Sequence, residues 1–109
     1  MAKLERRLSG DFNQILQKIE NGILSGSVSA TLEDSSYFHS GEAKCAVRVF
    51  ERYSYFGGNR VSLSVTLFQE SLNAPVYLSA ITAGGSQAMF FKMNTVGEEA
   101  FLQKLDELL

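Results

Sequence analysis

The chain has 109 residues, 45% of them hydrophobic and 20% charged, with a formal net charge of −2. This length and balance set one globular domain, residues 1–109, able to bury roughly 65% of its extended-chain surface, and they exclude a disordered chain. The charge gives no global field that attracts nucleic acid or an anionic membrane, and no stretch holds the roughly 18 apolar residues of a spanning helix.

The segment Met1–Arg7 is charged and amphipathic with no apolar run behind it, so no signal peptide is read. Cys45 is the only cysteine, which excludes an internal disulfide and suits a reducing compartment. A cytoplasmic location is the resulting expectation.

Asp11 with Gln14 three residues on has the spacing of a capping box. Phe12, Ile15, Leu16, Ile19 and Ile23 then recur at helical intervals. Asn21-Gly22 reads as the stop, so a helix is predicted over residues 11–21. Val28, Ala30 and Leu32 alternate in a first strand, residues 27–34. Asp34–Gly41 reads as a loop carrying Tyr37, Phe38 and His39.

A second strand is predicted over residues 43–55 and a third over residues 60–70, joined at Gly57-Gly58-Asn59. In the third, Val61, Leu63, Val65 and Leu67 alternate with polar residues, the pattern of a half-buried strand. In the second, the odd positions Cys45, Val47 and Val49 are apolar and the even positions Lys44, Arg48 and Arg52 are basic. Both strands therefore present their odd residues to the core, and opposed residues must share a face. On that parity Arg48 faces Phe68 and Phe50 faces Thr66, across an odd-length loop or a bulge.

Pro75 opens a fourth strand, residues 76–83, and Ala88–Met93 offers a short fifth of ambiguous period. Thr95-Val96-Gly97-Glu98 has the form of a capping box for a last helix with Phe101, Leu102, Leu105, Leu108 and Leu109 as its stripe. The expected fold is α+β: a two-layer domain with an antiparallel sheet of four to five strands, its N-terminal and C-terminal helices packed on one face.

Two stretches carry a resemblance. One is Cys45-Ala46-Val47-Arg48-Val49-Phe50-Glu51-Arg52-Tyr53 with Asn59-Arg60-Val61-Ser62. The other is residues 80–95, from Ala80-Ile81-Thr82 through Gly84-Gly85-Ser86-Gln87 to Met93-Asn94-Thr95, with Gly97-Glu98-Glu99 and Phe101-Leu102 following. Together they resemble a family of short bacterial proteins of unknown function, over nearly the whole chain. The resemblance implies a bacterial, cytoplasmic setting and brings no activity, cofactor or catalytic residue with it.

No nucleophile, base and orienting group can be assembled into an enzyme site. Cys45 and His39 would make a thiolate–imidazole pair only if the thiol were exposed beside a cation, whereas the odd-face parity buries it as a small hydrophobe. One His and one Cys fall short of a zinc site, so no metal and no cofactor are expected.

Gly84, Gly85, Ser86 and Gln87 could cradle an anion with backbone N–H groups, lined by Met89 and Phe90, but lack the lysine and spacing of a P-loop. A small apolar or anionic ligand between sheet and C-terminal helix is the alternative reading they support.

Greater weight falls on the outward sheet face, where Arg48, Phe50, Arg52 and Phe68 are the interface candidates, with Lys44 and Arg60 beside them. Two phenylalanines rimmed by arginines suit a homodimer or protein-partner seam. Base stacking by single-stranded nucleic acid is the weaker reading, because the chain is net acidic and has no RNP-like motif.

Overall fold

The computed structural model describes residues 1–53, 60–84 and 91–109. It contains strand β1 (Ala2–Leu8), helix α1 (Phe12–Ser25), strands β2 (Thr31–Ser40), β3 (Ala43–Tyr53), β4 (Arg60–Gln69) and β5 (Val76–Gly84), and helix α2 (Phe91–Asp106). The strands form one open antiparallel sheet in the order β1-β5-β4-β3-β2. The fold is α+β.

Asp11 caps α1 as its spacing predicts, with Oδ2 accepting the Gln14 N–H at 3.0 Å. Phe12, Leu16, Ile19 and Ile23 are its buried stripe. The helix does not stop at Gly22. It runs one turn further, where Ser25 Oγ donates to the Asn21 carbonyl at 2.6 Å and Gly26 N–H donates to the Gly22 carbonyl at 2.9 Å. Gly22 serves packing instead: a Cβ there would lie 2.4 Å from Leu108 Cδ2.

The fifth strand of the described sheet is β1, ahead of α1. Phe91–Met93 open α2, and Ala88–Phe90 lie outside the described residues. The capping box at Thr95 is also corrected, since α2 already starts at Phe91 and Glu98 lies within it. Glu98 turns to the sheet, where its Oε2 accepts the Gly84 N–H at 2.8 Å. The first predicted strand and the loop after it are replaced by β2, an edge strand with all ten residues exposed. Its register to β3 shifts between Leu32 and Asp34, leaving Glu33 as a bulge.

The parity expected for the central hairpin is overturned. Phe50 pairs with Leu63, Ala46 with Leu67 and Arg48 with Val65. The even face of β3 therefore shares a side with the odd face of β4, and Phe50 is fully buried. Arg48 and Arg52 follow it to that side. The Arg48 guanidinium pairs with Glu20 of α1, and Arg52 lies 4.5 Å over the Phe101 ring of α2, where burial lowers its pKa. Lys44 lies 5.8 Å from the centre of the Phe12 ring. Their aliphatic stems cover apolar surface while the heads find charge or π partners.

One hydrophobic cluster joins Phe12, Leu16, Ile19 and Ile23 of α1 and Phe101 and Leu105 of α2 to sheet residues. The sheet contributes Ala46 and Phe50 of β3, the odd residues of β4 and the even residues of β5.

Candidate functional site

The opposite set of side chains is the site of interest. The odd face of β3, the even face of β4 and the odd faces of β1 and β5 share this side, because the register pairs them with one another. One level of it crosses all five strands: Arg7 pairs with Tyr77, Tyr77 with Phe68, Phe68 with Cys45, and Cys45 with Phe38. Adjacent members stand about 5 Å apart, close enough for their side chains to touch.

Tyr77, Phe68 and Phe38 remain 47%, 42% and 65% exposed. Large aromatic rings held in a line on a sheet and left in water form the kind of patch that marks an interaction surface. Next to this row stand Val47, Val49 and Ile81, all partly or largely open. Phe68 separates two shallow depressions. One of about 390 Å³ is bounded by Tyr77, Arg7 and Glu5, and one of about 190 Å³ by Phe38, Cys45 and Lys44.

The charges on this side nearly cancel. Three cations, Lys3, Arg7 and Arg60, stand against four carboxylates, Glu5, Asp34, Glu51 and the bulged Glu33. Arg60 Nη2 is 2.8 Å from Glu51 Oε1 and 3.5 Å from Glu33 Oε2, which accounts for the carboxylate in the middle of β3. The basic sheet face expected for base stacking is not formed, since Lys44, Arg48 and Arg52 lie on the helix-contacting side.

Of the four interface candidates, Phe68 alone stands on this exposed side. Phe50, Arg48 and Arg52 build the core side instead. Cys45 is corrected in the other direction: it is half-buried on the open side between Phe38 and Phe68, not in the core. His39 pairs with Lys44 and stacks 6.0 Å from Tyr37 on the other side of the sheet, so it makes no pair with the thiol.

Gly84 ends β5, and its N–H already donates to the buried Glu98 carboxylate, which also pairs with the Met1 ammonium, so this N–H is not open to an anion. Gly85, Ser86, Gln87, Met89 and Phe90 lie outside the described residues. On the helix side, Phe101 and Leu105 are 1% and 0% exposed against the sheet. A depression of about 260 Å³ along the flank of α2, at Leu4 and Leu102, is an open groove. Among the described residues there is no cluster of three His, Cys, Asp or Glu that could hold a metal.

Tyr77, Arg7 and Phe38 were not read as site residues. Tyr77 carried a usable signal, because it sits between Val76 and Leu78 on the strand's non-core parity.

A family model described as a family of unknown function (DUF6054) matches residues 1–109. The chain belongs to this family. No curated protein and no solved structure matches it. Among the described residues no helix is long and apolar enough to cross a membrane.

Proposed function

We propose that this DUF6054 chain is a small interaction module that pairs with a second copy of itself through the open side of its sheet. In this reading α1 and α2 both cover the opposite side, so among the described residues the Arg7–Tyr77–Phe68–Cys45–Phe38 row is the aromatic sheet level left in need of a cover. That row is the observation that carries the reading. A self-complementary cover suits it, since a two-fold interface uses one patch twice. Its near-neutral charge, with one carboxylate in excess, favours a like partner over a polyanion. The half-buried thiol of Cys45 in the seam fits a reducing, intracellular bacterial setting.

Native mass spectrometry of the wild-type chain and of Phe68→Glu tests this, since it reads subunit number and any retained molecule together. The expected result is a bare dimer for the wild type and a folded monomer for the variant. A wild-type monomer, or a variant that keeps the dimer mass, refutes it.

A further inference from the structure

We infer that the two copies meet face to face about a two-fold axis running along β4. This rests on the reading that the open side is a self-association surface, and it adds which strand faces which. Sheets that pack aligned keep their strands within about 30° of each other, so the axis lies in the interface and runs either along the strands or across them.

The order β1-β5-β4-β3-β2 makes β4 the middle strand, and among axes along the strands only one on β4 overlays five strands on five. A patch of five strands at about 4.8 Å spacing and six or seven residues of length covers roughly 500–550 Å² per copy. Full overlap therefore brings the total to the roughly 1,000 Å² that a specific interface needs, and partial overlap does not.

Rotation about that axis adds no translation along it, so each level of the sheet stays opposite the same level of the partner. Phe68 then faces its own copy across the axis. Tyr77 on β5 faces Cys45 of the partner subunit, and Arg7 on β1 faces Phe38 of the partner subunit. At the level where Lys3 pairs with Ile81 and Asp34 with Val49, Lys3 faces Asp34 of the partner subunit and Ile81 faces Val49 of the partner subunit. Cations of one edge thus meet a carboxylate and a ring of the other, while apolar groups meet in between.

An axis across the strands sets each strand on its own copy. Centred on Glu5, it puts Lys3 opposite Arg7 of the partner subunit and drops Phe68 onto Ser64 of the partner subunit. The axis along β4 does set Arg60 opposite its own copy, where Glu51 and Glu33 neutralise it, and otherwise matches charge with charge and apolar with apolar, which the axis centred on Glu5 does not.

Packed sheets stand about 10 Å apart, too far for a direct disulfide, so the probe is a bis-maleimide with a two-carbon spacer. It is applied to the full chain carrying Tyr77→Cys, with native Cys45 as the second thiol, and to Val49→Cys. The wild type, with Cys45 alone, is the control. Strands β3 and β5 flank the axis, where sheet twist displaces facing residues least.

The expected result is a covalent dimer as the main product of Tyr77→Cys, and only traces from the wild type and Val49→Cys. A native dimer in which Val49→Cys cross-links and Tyr77→Cys does not overturns the axis but leaves the seam standing. Tyr77 and Cys45 also flank Phe68 about 10 Å apart within one chain, so a native dimer that neither variant cross-links, and whose Tyr77→Cys chain carries no internal bridge by intact mass, does the same. A wild-type monomer removes both seam and axis. Should Tyr77→Cys lose the dimer, Cys45→Ser/Val49→Cys/Ile81→Cys poses the same question, with position 81 expected opposite position 49 of the partner subunit, a pairing that the axis across the strands centred on Glu5 does not make.

Discussion

Two phenylalanines of similar sequence setting separate the two sides of the sheet. Phe50 is 0% exposed, paired with Leu32 on one side and Leu63 on the other, whereas Phe68 is 42% exposed. Phe50→Ala removes a ring from a packed core and leaves a cavity, a loss of about 4 kcal/mol. In a domain of this size that lowers Tm by roughly 15 °C, against a total stability on the order of 5–15 kcal/mol.

Phe68→Ala gives up only the buried part of its ring, about 1 kcal/mol within one chain and a few degrees of Tm. Its larger effect is on assembly. On the proposed pairing, the Tm of the wild type is expected to rise with protein concentration, and that dependence to vanish in Phe68→Ala. Thermal melts followed by far-ultraviolet circular dichroism at several concentrations measure both effects. Equal losses for the two variants, or a Phe50→Ala melt within a few degrees of wild type, would refute the register that pairs Phe50 with Leu63.

Further outcomes follow from the helix-side contacts. Arg48 and Glu20 tie β3 to α1, with side chains 15% and 27% exposed, and Arg48 also donates to the Ser36 and Val47 carbonyls. A double-mutant cycle of Arg48→Met and Glu20→Gln in urea melts is expected to give a coupling of about 1–2 kcal/mol; additive losses would remove the pair from the stability of the fold. Gly22→Ala gains about 1 kcal/mol of helix propensity only where Leu108 is out of the way. The gain is therefore expected in a Leu108→Ala background and cancelled or reversed in the wild type, and the same gain in both backgrounds would deny the close approach of the two helix ends.

Much of the fold was legible. The side-chain oxygen of Asp11, the alternation of β4 and the stripe of the last helix are local patterns that need no tertiary knowledge. Strand β3 was legible as a strand but not as to its face. Its odd residues are apolar and its even residues are mostly long cations, so alternation assigns the cations to water. The tertiary structure reverses this, because Phe12, Glu20 and Phe101 on the helices offer those cations partners that no neighbour in sequence reveals. Three of the four interface candidates, Arg48, Phe50 and Arg52, are misplaced with it.

Strand β2 is legible only at its start, where residues 31–34 overlap the expected strand, because an exposed edge buries nothing and beyond Leu32 has no period to read. Strand β1 escaped for a related reason: its apolar set, Ala2, Leu4 and Leu8, is broken by Arg6, which pairs with Asp106 of α2 at 3.4 Å.

The position of β1 in the sheet also bears on how the chain folds. Strands β2 to β5 are joined in sequence to their neighbours, so this meander can assemble as it is synthesised. Strand β1 is made first yet pairs with β5, Ala2 opposite Thr82. It must wait for nearly the whole chain, and a pairing of that sequence separation forms slowly. Until then the edge of β5 stands open beside Val76, Leu78 and Ala80, a template that a neighbouring nascent chain can extend. The first strand therefore acts late as a closing strip, and the interval before it docks is when the protein is most exposed to misassembly.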